Sequence, residues 1–177
     1  NKSSFKESCI NQLKKISSLK IAIIGEIIFD EYIFSEEMEK PSKENIHAVK
    51  YKDKEIYLGG AAAIARNLSE FCKSIDLYSA GNFDKEYIKI LSSIKNDKNI
   101  KINITDKKFQ SIKKTRVLNH LNRKLFEIYY KNGDSQLNDN KKLLKIINQK
   151  FKSYDVVIIA DFGHGFFNKK IYETIKK

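Results

Sequence analysis

The chain has 177 residues, enough for one domain with a real core, and its apolar (41%) and charged (32%) fractions are ordinary for a globular protein. No apolar run approaches the roughly 18 residues of a membrane span, and the polar start Asn1-Lys2-Ser3-Ser4 has neither an initiator Met nor the apolar centre of a signal segment, so a cytoplasmic protein with no membrane partner is expected. The net charge of +12 is carried mainly by scattered lysines alongside abundant Asn, Ile, Phe and Tyr, with Arg66, Arg116 and Arg123 the only arginines; it reads as genome composition, and no nucleic-acid partner is expected.

Ser4-x-x-Glu7 has capping-box spacing, and Phe5, Cys9, Leu13 and Ile16 follow at helical intervals, which predicts an opening helix. Cys9 and Cys72 lie in apolar-periodic stretches without CxxC spacing and are expected to be small buried thiols. Lys20 to Ile24 is an apolar run ending at Gly25, suited to a central parallel strand. Between Glu31 and Leu58 the pattern changes. Tyr32-Ile33-Phe34, Ile46 to Tyr51 and Ile56-Tyr57-Leu58 are short alternating stretches divided by charges and by Pro41, and predict half-exposed antiparallel strands outside the main sheet.

Gly59-Gly60 opens a small-residue helix expected to run through Phe71. Ile75 to Ser79 predicts a strand, Glu86 to Ile94 a helix and Ile100 to Ile104 another strand. Ser111 to Leu118 and Lys124 to Tyr130 alternate like a hairpin around Asn119-His120-Leu121-Asn122. Asn138 to Phe151 predicts an amphipathic helix, Val156 to Ala160 a strand, Asp161 to Gly165 the loop after it, and Asn168 to Lys177 a further helix. Strands alternating with helices argue a parallel α/β sheet with right-handed crossovers. The β-only segments 31–58 and 111–130 are candidates for one small lid sheet on that core.

In such sheets ligands bind beyond the carboxyl ends of the strands. Three groups of residues fall there: Gly25 to Asp30, Gly59-Gly60, and Asp161 to Gly165. Asp30 stands among apolar neighbours, where a carboxylate is either a local cap or a ligand contact, because burying it unpaired is costly. Gly59-Gly60 is either a tight strand-to-helix turn or a place where backbone approaches a ligand. It lacks the Gly-Lys-Ser/Thr of a P-loop and the third glycine of a dinucleotide fingerprint. Lys113, Lys114, Arg116, Arg123 and Lys124 cluster on the hairpin, as either a lysine-protected solvated edge or an anion clamp, and alternation places Lys114 and Arg116 on one face with Leu118. Asp161 and His164 could form an acid–base pair; His47 and His120 share no metal-ligand spacing with them, so no metal site is expected.

Taken in order, these motifs resemble the ribokinase (PfkB) family of carbohydrate kinases. Lys20-Ile-Ala-Ile-Ile-Gly25-Glu-Ile-Ile-Phe-Asp30-Glu-Tyr32 is similar to that family's first strand and sugar-binding turn, and Leu58-Gly59-Gly60 through Asn67-Leu68 to its Gly-Gly motif and following helix. Ser111-Ile-Lys-Lys114-Thr-Arg116-Val-Leu and Asp155 to Gly165 resemble the branch that phosphorylates heptose 7-phosphate for lipopolysaccharide precursors, often fused to or partnered with a nucleotidyltransferase. The resemblance implies a ribokinase-like parallel-sheet sandwich with a small β lid, here incomplete, in a kinase that uses ATP and Mg²⁺. It implies Asp30 as a ligand for sugar hydroxyls, Gly59 and Gly60 lining the pocket with Asn67 behind them, Lys114 and Arg116 near the sugar or its phosphate, and Asp161 bordering the cleft. It further implies a homodimer through segments 31–58 and 111–130.

Two departures matter. Ala63 stands where the family often has Asn, which leaves the exact sugar open. The Gly-Ala-Gly-Asp segment that carries the family's general base and anion hole does not occur in these 177 residues. The chain is therefore expected to be the amino-terminal part of one kinase domain, without the nucleotide-binding half and inactive alone. The alternative is a non-catalytic sugar-phosphate-binding or assembly module.

Overall fold

The computed structural model describes residues 2–38, 47–95, 99–130 and 140–176. In chain order the elements are α1 (Lys2–Ile16), β1 (Lys20–Gly25), β2 (Ile27–Glu37), β3 (Val49–Gly59), α2 (Gly60–Ser69), β4 (Ser74–Ser79), α3 (Lys85–Lys95), β5 (Ile100–Ile104), β6 (Ile112–Leu118), β7 (Lys124–Tyr130), α4 (Lys141–Lys150), β8 (Val156–Ala160) and α5 (Lys169–Ile175).

Four strands form a parallel sheet in the order β5-β4-β1-β8. Its central strand β1 is buried on both faces, as its unbroken apolar run requires. Ile21 and Ile23 pack with Leu77 against Ala61, Ala62 and Ala65 of α2 and Leu91 and Ile94 of α3. Ala22 and Ile24 face the other way, with Tyr78, toward Leu143 and Ile147 of α4 and Ile171 of α5. The three fully buried alanines let α2 approach the sheet closely. Asparagines fix the starts of the other two helices. Asn140 Oδ1 accepts from the Leu143 N–H at 2.9 Å while its amide donates to Thr105 Oγ1 at 2.6 Å, and Asn168 Oδ1 accepts from the Ile171 N–H at 2.9 Å.

The second sheet has the order β3-β2-β6-β7, with β2 and β6 parallel and the outer pairs antiparallel. Glu26 alone separates β1 from β2, so the first strand of one sheet passes almost directly into the other. The predicted short strands of this region are in fact two strands of 11 residues each, bulged between Phe34 and Ser35. Charged residues interrupt the apolar pattern there without ending the strands, because they pair across the sheet. Pro41 and Ile46 lie outside the described residues, as do positions 138 and 139 of the predicted fourth helix.

The second sheet is held to α3 by ring stacking and by an ion pair. Phe29 stacks on Tyr87 with ring centroids 4.1 Å apart. Beside it the buried Glu31 accepts from Thr115 Oγ1 at 2.5 Å and pairs with Lys113 at 2.9 Å and Lys54 at 3.5 Å; Lys54 also reaches Glu86 of α3 at 2.9 Å. Burial pushes the Glu31 carboxyl up, but the Thr115 hydroxyl and the two ammonium groups outweigh it, and the net position is below the ordinary 4.5. Ionised Glu31 therefore adds stability above its unfolded value, which is lost as pH falls through the lower folded value. Glu31→Gln is expected to lower Tm at pH 7 by about 5 °C, reflecting on the order of 2 kcal/mol for charge-assisted hydrogen bonds. The effect of the substitution should shrink as pH falls below the ordinary carboxylate range, a trend that melting curves across acid pH will show.

Two expectations need correction. The helix after Gly59 ends at Ser69, followed by turns through Lys73, so it stops short of Phe71. Cys9 is exposed, unlike the buried Cys72. The helical period at Phe5, Cys9, Leu13 and Ile16 is present, but every side chain of α1 from position 5 onward is exposed, because no described element covers that face.

Candidate functional site

Glu26, in the one-residue gap between β1 and β2, is fully buried. Its carboxylate accepts three backbone N–H groups from the loop after β8: Phe162 at 2.6 Å on one oxygen, His164 at 2.9 Å and Phe166 at 3.3 Å on the other. Its carbonyl accepts the Ala61 N–H at 2.8 Å, at the start of α2. One residue thus ties together Gly25, the Gly59-Gly60 turn and the Asp161 loop, the three strand-end groups of the sheet. Burial raises the Glu26 carboxyl above the usual range; the three N–H donors oppose this only in part, and nearby Asp161 adds to the rise.

Gly60 has φ +58°, and a Cβ there would lie 2.3 Å from the Glu26 carbonyl oxygen. Gly59 has an extended backbone that any residue adopts, but a Cβ on it would lie 2.3 Å from Asp30 Oδ2. Asp30 therefore sits directly over Gly59. Its other oxygen accepts from Arg116 Nη1 at 2.6 Å, so the carboxylate is held on one side by backbone and on the other by a guanidinium. An added methyl at Gly59 meets a movable side chain and not backbone. Gly59→Ala is expected to cost no more than about 1–2 kcal/mol of stability while displacing Asp30 from Arg116. Paired melting curves and ligand titrations check this, and a ligand affinity unchanged by Gly59→Ala would contradict it.

Arg116 is largely enclosed, with its side chain 15% exposed. Besides Asp30 it reaches Glu127 Oε2 through Nε at 2.8 Å, and its guanidinium carbon lies 5.2 Å from the centre of the Tyr32 ring. Because β6 lies inside the four-strand order, Lys113, Lys114 and Arg116 are not on a sheet edge, whereas Lys124 begins the edge strand β7. Lys114 shares a face with Arg116, as alternation predicts, and its ammonium lies 5.2 Å from the Tyr129 ring centre. Asp30, Tyr32, Phe34, Glu55 and Tyr57 line an open groove on that face, with Tyr32 and Tyr57 edge to face at 5.7 Å.

Asp161 is exposed; its oxygens accept from the Gly163 N–H at 2.8 Å and from the Tyr172 hydroxyl. Gly163 and Gly165 have φ of +74° and +86°, which lets the loop turn its amides toward Glu26. Asn67 stands apart, on the exposed side of α2 in a separate groove with Ala63, Arg66 and Glu70. Asp30, Gly59, Lys114 and Arg116 are thus brought together, Gly60 and Asp161 are linked to them through Glu26, and Asn67 is not. Glu26, Tyr57, Glu127 and Tyr129 also belong to this arrangement, and no motif in the sequence marks Tyr57, Glu127 or Tyr129. Glu26 had one signal, a lone carboxylate inside the apolar run from Ile21 to Phe29.

No protein-family model matches the chain. The bifunctional protein HldE of Hydrogenovibrio crunogenus is 26% identical over 149 residues, covering 84% of this chain and 30% of that protein. HldE of Helicobacter pylori (strain G27) is 27% identical over 164 residues, covering 88% and 34%. The chain spans about a third of the length of the curated relatives it matches. Among solved structures, Arabidopsis thaliana ribokinase in complex with ribose and ATP superposes with a TM-score of 0.56 at 11% identity, covering 90% of this chain and 50% of that one. The chain therefore has the ribokinase-like α/β fold of carbohydrate kinases, of which it presents about half.

Proposed function

We propose that this chain is the sugar-binding part of a carbohydrate kinase, one that transfers a phosphoryl group from ATP to a hydroxyl of a sugar or sugar phosphate. The observation that carries the reading is Asp30, a carboxylate fixed between Gly59 and Arg116 at the rim of a groove with Tyr32 and Tyr57. A carboxylate accepts two vicinal hydroxyls at once, and an aromatic ring offers its face to the apolar side of a sugar. The likeness to HldE supports heptose 7-phosphate as the substrate and a nucleotidyltransferase as fused or separate partner.

In the mechanism, the end of β3 and the start of α2 supply the floor of the site through Gly59 and Gly60, and Asp30 orients the sugar. Lys114, Arg116 and the second sheet close over it as a lid that excludes water. ATP with Mg²⁺ supplies the transferred group. The described residues bring together no set of three or more His, Cys, Asp or Glu side chains that could hold a metal. These residues alone are expected to bind sugar without turnover. Among the described residues no helix is long and apolar enough to cross a membrane, and a cytoplasmic setting fits sugar-phosphate chemistry. The far face of the second sheet leaves Phe126, Ile128 and Tyr130 exposed, which supports pairing of two copies through segments 31–58 and 111–130.

The test is thermal unfolding against heptose 7-phosphate, other sugar phosphates, free sugars, ATP with Mg²⁺ and an oligonucleotide. A ligand that binds the folded state at 100 times its Kd adds about 2.7 kcal/mol. A rise in Tm with a sugar or sugar phosphate, and none with ATP, is expected. A response to the oligonucleotide alone overturns the kinase reading. Binding to the sugar phosphate by a full-length product that shows no phosphoryl transfer favours the non-catalytic module.

A further inference from the structure

The register of the second sheet arranges side chains in rows across all four strands. Tyr57, Asp30, Lys114 and Tyr129 stand opposite one another in one row, and Glu55, Tyr32, Arg116 and Glu127 in the next. With strands about 4.8 Å apart, a row spans roughly 14 Å, the length of an extended sugar phosphate and its surroundings. The rows differ in their bonds. Glu55 accepts from the Tyr57 hydroxyl, Arg116 donates to Asp30, and Glu127 accepts from the Tyr129 hydroxyl. Three members of the second row thus each hold a member of the first.

The two cations differ in the same sense. Arg116 lies between the carboxylates of Asp30 and Glu127, against the Tyr32 ring. A phosphate approaching it would meet two fixed negative charges. Lys114 forms no ion pair with any described residue, and its described neighbour is the Tyr129 ring. A flexible ammonium over an exposed ring is a point charge still available to a ligand.

We infer that the first row contacts the ligand and the second only fixes its geometry: Lys114 meets the anionic group of the sugar phosphate, whereas Arg116 is a positioning residue for Asp30. This rests on the sugar-binding reading above. It also orients the ligand, with hydroxyls on Asp30 beside Tyr57 and the anionic end toward Lys114 and Tyr129.

Calorimetric titration with a heptose and with its 7-phosphate separates the roles. Lys114→Ala is expected to weaken the phosphate about tenfold, the scale of one charge-assisted hydrogen bond, and the free sugar less than about twofold. Arg116→Ala should weaken both by a similar factor, with Arg116→Lys recovering part of the loss for both. Selective loss of the phosphate in Arg116→Ala, or equal loss of both sugars in Lys114→Ala, overturns the assignment. A ligand-free measurement keeps the positioning role testable if neither sugar binds, an outcome that sinks the sugar-binding reading itself. In a double-mutant cycle on unfolding, Asp30→Ala and Arg116→Ala should be strongly non-additive, and additive effects overturn the positioning role.

Discussion

Glu26→Ala is expected to lower the melting temperature by about 10 °C, because it strips the acceptor from three backbone N–H groups of the loop after β8. Phe166 is fully buried and His164 half-buried, so their amides cannot all turn to water. An orphaned buried donor costs about 1–3 kcal/mol. Removing the buried charge returns some of this, since ionised Glu26 is disfavoured by burial. The net loss is about 3 kcal/mol, and each kcal/mol moves Tm by about 2–4 °C at this size. Glu26→Gln should cost much less. Its one carbonyl oxygen can still accept from His164 and Phe166, which share an oxygen, while its NH₂ opposes only the N–H of Phe162. Phe162 is 46% exposed and can turn to solvent. Amide exchange should therefore quicken at 162, 164 and 166 in the Ala variant and only at 162 in the Gln variant. Uniform exchange behaviour in the two variants would show that the carboxylate does not organise the loop.

Gly60→Ala should be at least as damaging. Its φ of +58° costs a non-glycine residue about 1–2 kcal/mol, and the added Cβ would stand 2.3 Å from a backbone oxygen that β1 and β2 hold in place. Relief requires α2 to move away from Glu26, breaking the Ala61 hydrogen bond and loosening three buried alanines from the sheet. The expected loss is on the order of 3–5 kcal/mol, enough to leave much of the chain unfolded at 37 °C if its stability is that of an ordinary domain. Gly59→Ala, one residue away, meets only the Asp30 carboxylate and should melt close to the parent. Equal damage from the two would mean that the turn tolerates neither position for a shared reason, and the distinction between backbone and side-chain collision would fail.

The contrast between Glu26 and β1 shows where sequence reasoning works. Ile21 to Ile24 is legible as a central strand because burial on both faces requires a continuous apolar run, a local property. Alternation likewise places Lys114 and Arg116 on one face, which is also a local property. Glu26 is different. Its partners lie 136 to 140 residues away, and nothing nearby in the chain announces them. The long strands β2 and β3 were hidden for a related reason. Their charges at Glu31, Glu36, Lys52 and Lys54 look like breaks when read along the chain and become cross-strand or inter-layer pairs when folded. Asn67 lies on the helix behind Gly59-Gly60, as its motif implies, but on the exposed face of α2 and in a groove separate from that of Asp30.

The exposure of α1 has a consequence for cooperativity. A helix of 15 residues is marginal in water on its own propensity, and this one has no buried side chain from Phe5 onward to couple it to the sheets. Its opening free energy is therefore set by local hydrogen bonds alone, near the bottom of the range that a folded protein spans. Residues 2–16 are expected to form a separate unit of unfolding, fraying and re-forming while the sandwich behind them stays shut. A melting curve followed by far-ultraviolet ellipticity should accordingly begin to slope before one followed by the buried tyrosines.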